Sequence, residues 1–171
     1  MKYGEVQIAN LRAEERSINL IEYYGRVSVH LGSAAFSLLG IPEEAGLHPS
    51  TVSFSEQKAG YQREILPRSA DLEPGNSVRI GRRRGLEIFD AQGEVDEARM
   101  AQIYNPGLQA SLKSDIHLSK EHLEIEVVEA SDLIIRDLGS TNGTIVKYDD
   151  WIPDEGPVKP VIRRGNLRLV E

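Results

Sequence analysis

The sequence predicts a mainly β protein, an antiparallel β-sandwich over residues 50–171 preceded by a helical segment in residues 1–49. Three observations carry that reading. Beyond residue 50 apolar residues recur at alternate positions in short runs, as in Leu123-Glu124-Ile125-Glu126-Val127, which is the period of a half-buried strand. Turn formers such as Glu73-Pro74-Gly75-Asn76 and Asn142-Gly143 separate the runs at a spacing suited to a sandwich. Before residue 40 the apolar residues fall mostly three or four apart instead, the spacing of one helix face.

Residues 10–39 therefore read as helical, with Leu11, Ile18, Ile21, Tyr24, Val27, Leu31 and Leu38 on the apolar side and Arg12, Glu14, Glu15, Arg16 and Glu22 between them. Gly25 and Gly32 each cost about 1 kcal/mol against alanine inside a helix. The segment is thus one helix, two helices, or a helix followed by a strand through Val27-Ser28-Val29-His30-Leu31. Gly40-Ile41-Pro42 ends it, because proline cannot continue a helix, and Glu43 to Ser50 reads as a linker. Strands follow at Val52–Phe54, Tyr61–Leu66, Ser77–Ile80, Leu123–Val128, Asp132–Arg136, Thr144–Tyr148 and Asn166–Val170. Residues 86–114 break the rhythm: a polar stretch from Asp90 to Met100, then a short helix within Ala98–Leu112 interrupted by Asn105-Pro106-Gly107. A connection of that length inside a domain is usually functional or mobile.

Composition narrows the function classes. Hydrophobic residues make up 40% and charged residues 27%, a globular balance. No apolar run approaches the roughly 18 residues of a membrane span, and no secretory leader is expected. With no cysteine there is neither a disulfide framework nor a thiolate metal site, which fits a cytoplasmic protein. The net charge of −7 argues against general nucleic-acid binding, whose affinity comes largely from neutralising phosphates. Arg79, Arg82, Arg83 and Arg84 form a local exception, a cationic spot better suited to one small anion than to a polyanion.

Four short strings stand near strand ends: Gly81-Arg82, Ser119-Lys120-Glu121-His122, Asp137-Leu138-Gly139-Ser140 and Thr141-Asn142-Gly143-Thr144. Singly, each has an ordinary explanation. The arginines suit a solvated strand end, Asn-Gly is a common hairpin signature, and Ser119 suits a turn. His117, His122 and Asp115 lack the spacing of a helical metal pair, and no oxyanion motif accompanies Ser119 and His122, so neither a metal nor a catalytic role is expected. Read in order, as Ile-Gly-Arg, Asp-Ile-x-Leu, Ser-x-x-His and Asp-Leu-Gly-Ser-Thr-Asn-Gly-Thr, the strings resemble the forkhead-associated (FHA) domain. The resemblance covers about residues 50–171, and its most specific part is the string from Asp137 to Thr144.

That resemblance implies a non-enzymatic module that docks phosphothreonine peptides and needs no cofactor. It implies that Arg82 gives a charged, forked donor to phosphate, Ser119 a hydroxyl hydrogen bond, and Lys120 a second charge. Thr141 would add a hydroxyl or backbone N–H, and the Asn142 amide would hold the peptide main chain. His122 would be a buried brace rather than a ligand, with Gly81 and Gly143 supporting the site. Which of Arg82, Arg83 and Arg84 meets phosphate stays open. The chain departs from the family between Leu118 and Ser119, where the usual lip of the site is nearly absent, while the preceding connection is lengthened. The insertion either replaces the lip or covers the site; its acidic residues Asp90, Glu94, Asp96 and Glu97 suit a flap against the arginines, and a solvated loop with no role is an equal alternative. Residues 151–160, with three prolines, imply irregular final strands.

The expected partner is a threonine-phosphorylated protein in Ser/Thr-kinase signalling, with no nucleic acid and no membrane. The alternative is an interaction or regulatory module on the same scaffold, for example in a secretion or cell-division apparatus, without phosphate-dependent binding. The apolar face of residues 10–39 must be covered by the sandwich, by a homodimer, or by a partner.

Overall fold

The computed structural model describes residues 3–8, 20–24, 26–32, 34–39, 50–58, 61–64, 70–103, 106–129, 132–149 and 164–170. Two sheets account for most of them. The first runs in the order β2 (Leu20–Tyr24), β13 (Arg164–Val170), β11 (Asp132–Asp137), β10 (Leu123–Glu129), β8 (Ser77–Gly81), β9 (Gly85–Phe89). The second runs β1 (Tyr3–Ile8), β12 (Thr144–Asp149), β3 (Arg26–Leu31), β4 (Ala34–Leu39), β5 (Ser50–Lys58), β6 (Tyr61–Glu64), with β7 (Ala70–Leu72) also on β5. Pairing is antiparallel throughout except for β11 and β13, which run parallel. The mainly β sandwich architecture is as the sequence predicts.

Alternation builds the core. On β10, Leu123, Ile125 and Val127 are buried while Glu124 and Glu126 are half-buried on the other face; on β11, Leu133 and Ile135 go in and Arg136 goes out. Val27, Val29 and Leu31 of β3 and Val146 of β12 join the same apolar cluster from the second sheet. Burial of such side chains contributes roughly 1.5–3 kcal/mol each. Charges tie the opposite face of the first sheet. Glu124 stands directly across from both Arg79 and Arg136 in the register, at 2.7 and 2.8 Å, and Arg136 also reaches Glu126 at 2.8 Å. The Glu126 hydrogen bond is the largest influence holding the Arg136 guanidinium above its ordinary pKa.

The helical reading of residues 10–39 is corrected. Residues 10–19 lie outside the described residues, and 20–24, 26–31 and 34–39 are strands, including the Val27–Leu31 strand the sequence allowed. In a short run, residues spaced three or four apart overlap with residues spaced two apart, and here partners decide. β3 lies between β12 and β4, and Val27, Val29 and Leu31 alternate inward with Ser28 and His30 between them. Their apolar face is thus covered by the sandwich itself. Strands before residue 49 pair with later ones in both sheets: β1 and β3 with β12, β4 with β5, and β2 with β13. A division at residue 49 therefore falls between paired strands. Residues 43–49 and 151–163 lie outside the described residues, and with them most of the expected linker and irregular segment.

The connection over residues 86–114 is not a loose flap. Its start is β9, paired with β8, and after a turn it forms α1 (Glu97–Ile103) and α2 (Pro106–Ser114). Ile103 and Leu112 are buried in the core cluster, α1 packs on β7 and β9, and α2 packs on β9. Asp96 is spent on Arg99 and Asn76, and Asp90 accepts the N–H groups of Gln92 and Glu94, so these acids do not face the arginines. Gln109 fastens α2 to β9: its Oε1 accepts the Leu86 N–H at 2.9 Å and its Nε2 donates to the Leu86 carbonyl at 2.9 Å. Gln109→Ala leaves both backbone groups of buried Leu86 unpaired, so it should cost about 1–3 kcal/mol. Urea unfolding checks this, with a lowered midpoint at unchanged slope.

Candidate functional site

Three connections meet at one end of the first sheet: the turn after β8, the segment between α2 and β10, and the loop between β11 and β12. Backbone bonds staple the first two together. The N–H groups of Arg82 and Arg83 donate to the carbonyls of Ser119 and Lys120 at 2.9 and 3.1 Å, and the His122 N–H donates to the Ile80 carbonyl at 3.1 Å. Gly81 makes this approach possible, since a β-carbon there would overlap the Lys120 carbonyl oxygen.

His122 joins the third loop to the other two. It is fully buried, its Nδ1 accepts the Ser119 N–H at 3.1 Å, and its Nε2–H donates to the Gly143 carbonyl at 2.9 Å. Its own carbonyl accepts the Leu138 N–H at 2.9 Å. The ring is therefore the neutral Nε2–H tautomer, because Nδ1 must offer a lone pair. Burial is the largest influence and pushes its pKa below the usual 6.5, opposed by the Gly143 bond and by Asp137 and Asp115. The unfolded chain takes up this proton near pH 6.5, whereas the folded chain resists until lower pH. The stabilisation is thus present above about pH 6.5 and is lost as pH falls toward the folded value. The melting temperature should fall on acidification below pH 6.5, with a smaller drop in His122→Gln measured in parallel.

Asp137 organises the β11–β12 loop; the sequence marked it as the start of the Asp137–Thr144 string but assigned its side chain no role. Although 3% exposed, its carboxylate accepts four hydrogen bonds: from the N–H groups of Gly139 and Ser140 at 3.0 and 2.8 Å, the Ser140 hydroxyl at 2.6 Å and the Thr144 hydroxyl at 2.9 Å. The signal was present, since an aspartate with glycine and serine two and three residues on, as in Asp137-Leu138-Gly139-Ser140, suits a side chain closing its own turn. The Ser140 oxygen in turn accepts the Gly143 N–H at 3.0 Å, and Gly143 takes the left-handed φ of +78° that the turn requires.

These braces frame a cleft of about 550 Å³ whose lining includes Arg82, Arg83, Ser119, Lys120, Thr141 and Asn142. All five residues expected to contact ligand thus line one cleft, while Gly81, His122 and Gly143 are buried. Of the three consecutive arginines, Arg84 does not line it. The Thr141 N–H donates to the Ser119 oxygen at 3.0 Å, which leaves the Ser119 hydroxyl proton to donate elsewhere. The Asn142 Nδ2 donates to the His117 carbonyl at 2.9 Å, which joins the β11–β12 loop to the turn after α2. That turn, Asp115 to Leu118, directly follows the insertion and forms a lip: Ile116 and His117 line the cleft, whereas no described residue of 86–114 does. Neither residue was expected in the site, because nothing local shows that a helix so far along the insertion would deliver them there.

Residues 78–150 match the family model of the FHA domain. Over that span the chain is similar to an FHA domain. FHA domains are phosphopeptide-binding protein–protein interaction modules rather than enzymes, and the matched span contains the turn after β8, both helices of the insertion and the whole β11–β12 loop. No characterised protein and no solved structure shows significant similarity to the chain. Among the described residues, no helix is long and apolar enough to cross a membrane.

Proposed function

We propose that this FHA-like domain binds threonine-phosphorylated protein segments in its 550 Å³ cleft, and so acts downstream of a Ser/Thr kinase in the cytoplasm. Arg82 is the fixed charge and forked donor for phosphate oxygens, Ser119 donates its hydroxyl proton, and Lys120 adds a second charge. Thr141, positioned by its N–H bond to Ser119, offers its hydroxyl, and Asn142 offers Oδ1 to the peptide main chain. One observation carries the reading: separate connections are locked together by a buried histidine so that cations and hydroxyls converge on one surface. Preorganised donors of this kind avoid the ordering cost that a mobile site would incur on binding.

A second reading keeps the scaffold as an interaction or regulatory module without phosphate dependence. It draws support from the Asn142 amide, whose Nδ2 is already spent inside the protein. Matched peptide libraries built around phosphothreonine, phosphoserine and unmodified threonine separate the two. The proposal expects capture of the phosphothreonine set alone; equal capture of all three supports the second reading.

A further inference from the structure

Arg82 and Arg83 of the arginine run line the first cleft, and a second cleft lies beside it. This neighbour, of about 280 Å³, shares Arg83, Lys120, Glu121 and Leu138 with the first and is otherwise lined by groups on β8, β9 and β10 and by Arg84 in the turn between β8 and β9, with Arg79 and Phe89 among the strand residues. It is too small for a drug-sized ligand but has room for one side chain. Within its lining, Arg79 lies over the Phe89 ring at 5.1 Å and is bound to Glu124 at 2.7 Å.

The charges lining it are unevenly matched. Glu124 is shared between Arg79 and Arg136. Arg84, with 73% of its side chain exposed, meets Glu87 only at 3.9 Å, a surface pair that contributes little. Arg83 and Lys120, both exposed, form no ion pair with another described residue, and Glu121 alone is left to oppose them. A cationic excess therefore stands at the wall between the two clefts and continues into the second.

We propose that the second cleft binds another anionic group of the same ligand, a carboxylate or a second phosphate flanking the phosphothreonine, with Arg83 and Arg84 as its donors. The inference rests on the phosphopeptide reading of the first cleft. Because the clefts share a wall, one extended peptide spans both. Exposed ion pairs of this kind change affinity by about two- to fivefold each.

The test is a peptide array with a fixed phosphothreonine in which each flanking position carries glutamine, aspartate or phosphoserine in turn, probed with the full chain and with its Arg84→Gln and Arg82→Ala variants. The expected result is that aspartate or phosphoserine at one or more flanking positions strengthens binding about two- to fivefold over glutamine. Arg84→Gln removes that gain and leaves glutamine-flanked peptides bound as before, whereas Arg82→Ala weakens every phosphothreonine peptide. The aspartate and phosphoserine arms tell a carboxylate from a phosphate. Phosphate-dependent binding with a flat flanking profile, or a preference that survives in Arg84→Gln, overturns this inference and leaves the first cleft standing. Binding that ignores the central phosphate overturns both.

Discussion

Arg82→Ala is expected to weaken binding of a phosphothreonine peptide by at least about 10-fold, since a charged hydrogen bond contributes roughly 1.5–3 kcal/mol. Stability should hardly change. Arg82 is half-buried in the cleft lining and forms no ion pair with another described residue, while the bond that holds its backbone, N–H to the Ser119 carbonyl, survives truncation of the side chain. Ser119→Ala should act similarly but less cleanly, because its oxygen also accepts the Thr141 N–H. Titration calorimetry and thermal melts on the same preparations separate affinity from folding. Wild-type affinity in both variants would mean that ligand binds elsewhere.

His122→Ala should do the opposite and damage the fold first. It deletes a fully buried ring and leaves the Ser119 N–H and the Gly143 carbonyl without their partners. Each unpaired buried group costs about 1–3 kcal/mol, and the vacated space adds to that. A total of about 3–5 kcal/mol is large against the 5–15 kcal/mol that domains typically possess. The melting temperature should drop by about 10 °C. Peptide affinity should fall as well, because the loops carrying Ser119 and Thr141 lose their common anchor. A His122→Ala protein that melts with the wild type would remove the histidine from its proposed role.

What could be read in the sequence was local, and what could not was set by distant partners. The strands from Ser77 to Gly81 and from Leu123 to Glu129 were legible because one face is core and the other carries Arg79, Glu124 and Glu126, so polarity alternates residue by residue. The cleft was legible because its braces are short-range strings, Ser-x-x-His and the Asp137–Thr144 turn, whose spacing is fixed by the bonds they make. The strands before residue 40 were misread because their pattern fits two periods, and only pairing with β12, β5 and β13 selects one. The lip was missed for a related reason. Ile116 and His117 reach the cleft because Ile103 and Leu112 bury and Gln109 binds Leu86, contacts between residues far apart in the chain.

The account stands on phosphate-dependent binding in one cleft, and backbone amide shifts report on that most directly. A phosphothreonine peptide taken from the matched libraries, and its unmodified counterpart, would be titrated into the isotope-labelled full chain. The account predicts the largest shifts at Arg82, Ser119, Lys120, Thr141 and Asn142, small ones along β2 and β6, and almost none with the unmodified peptide. Equal responses to the two peptides, or shifts centred away from the turn after β8 and the β11–β12 loop, would contradict it.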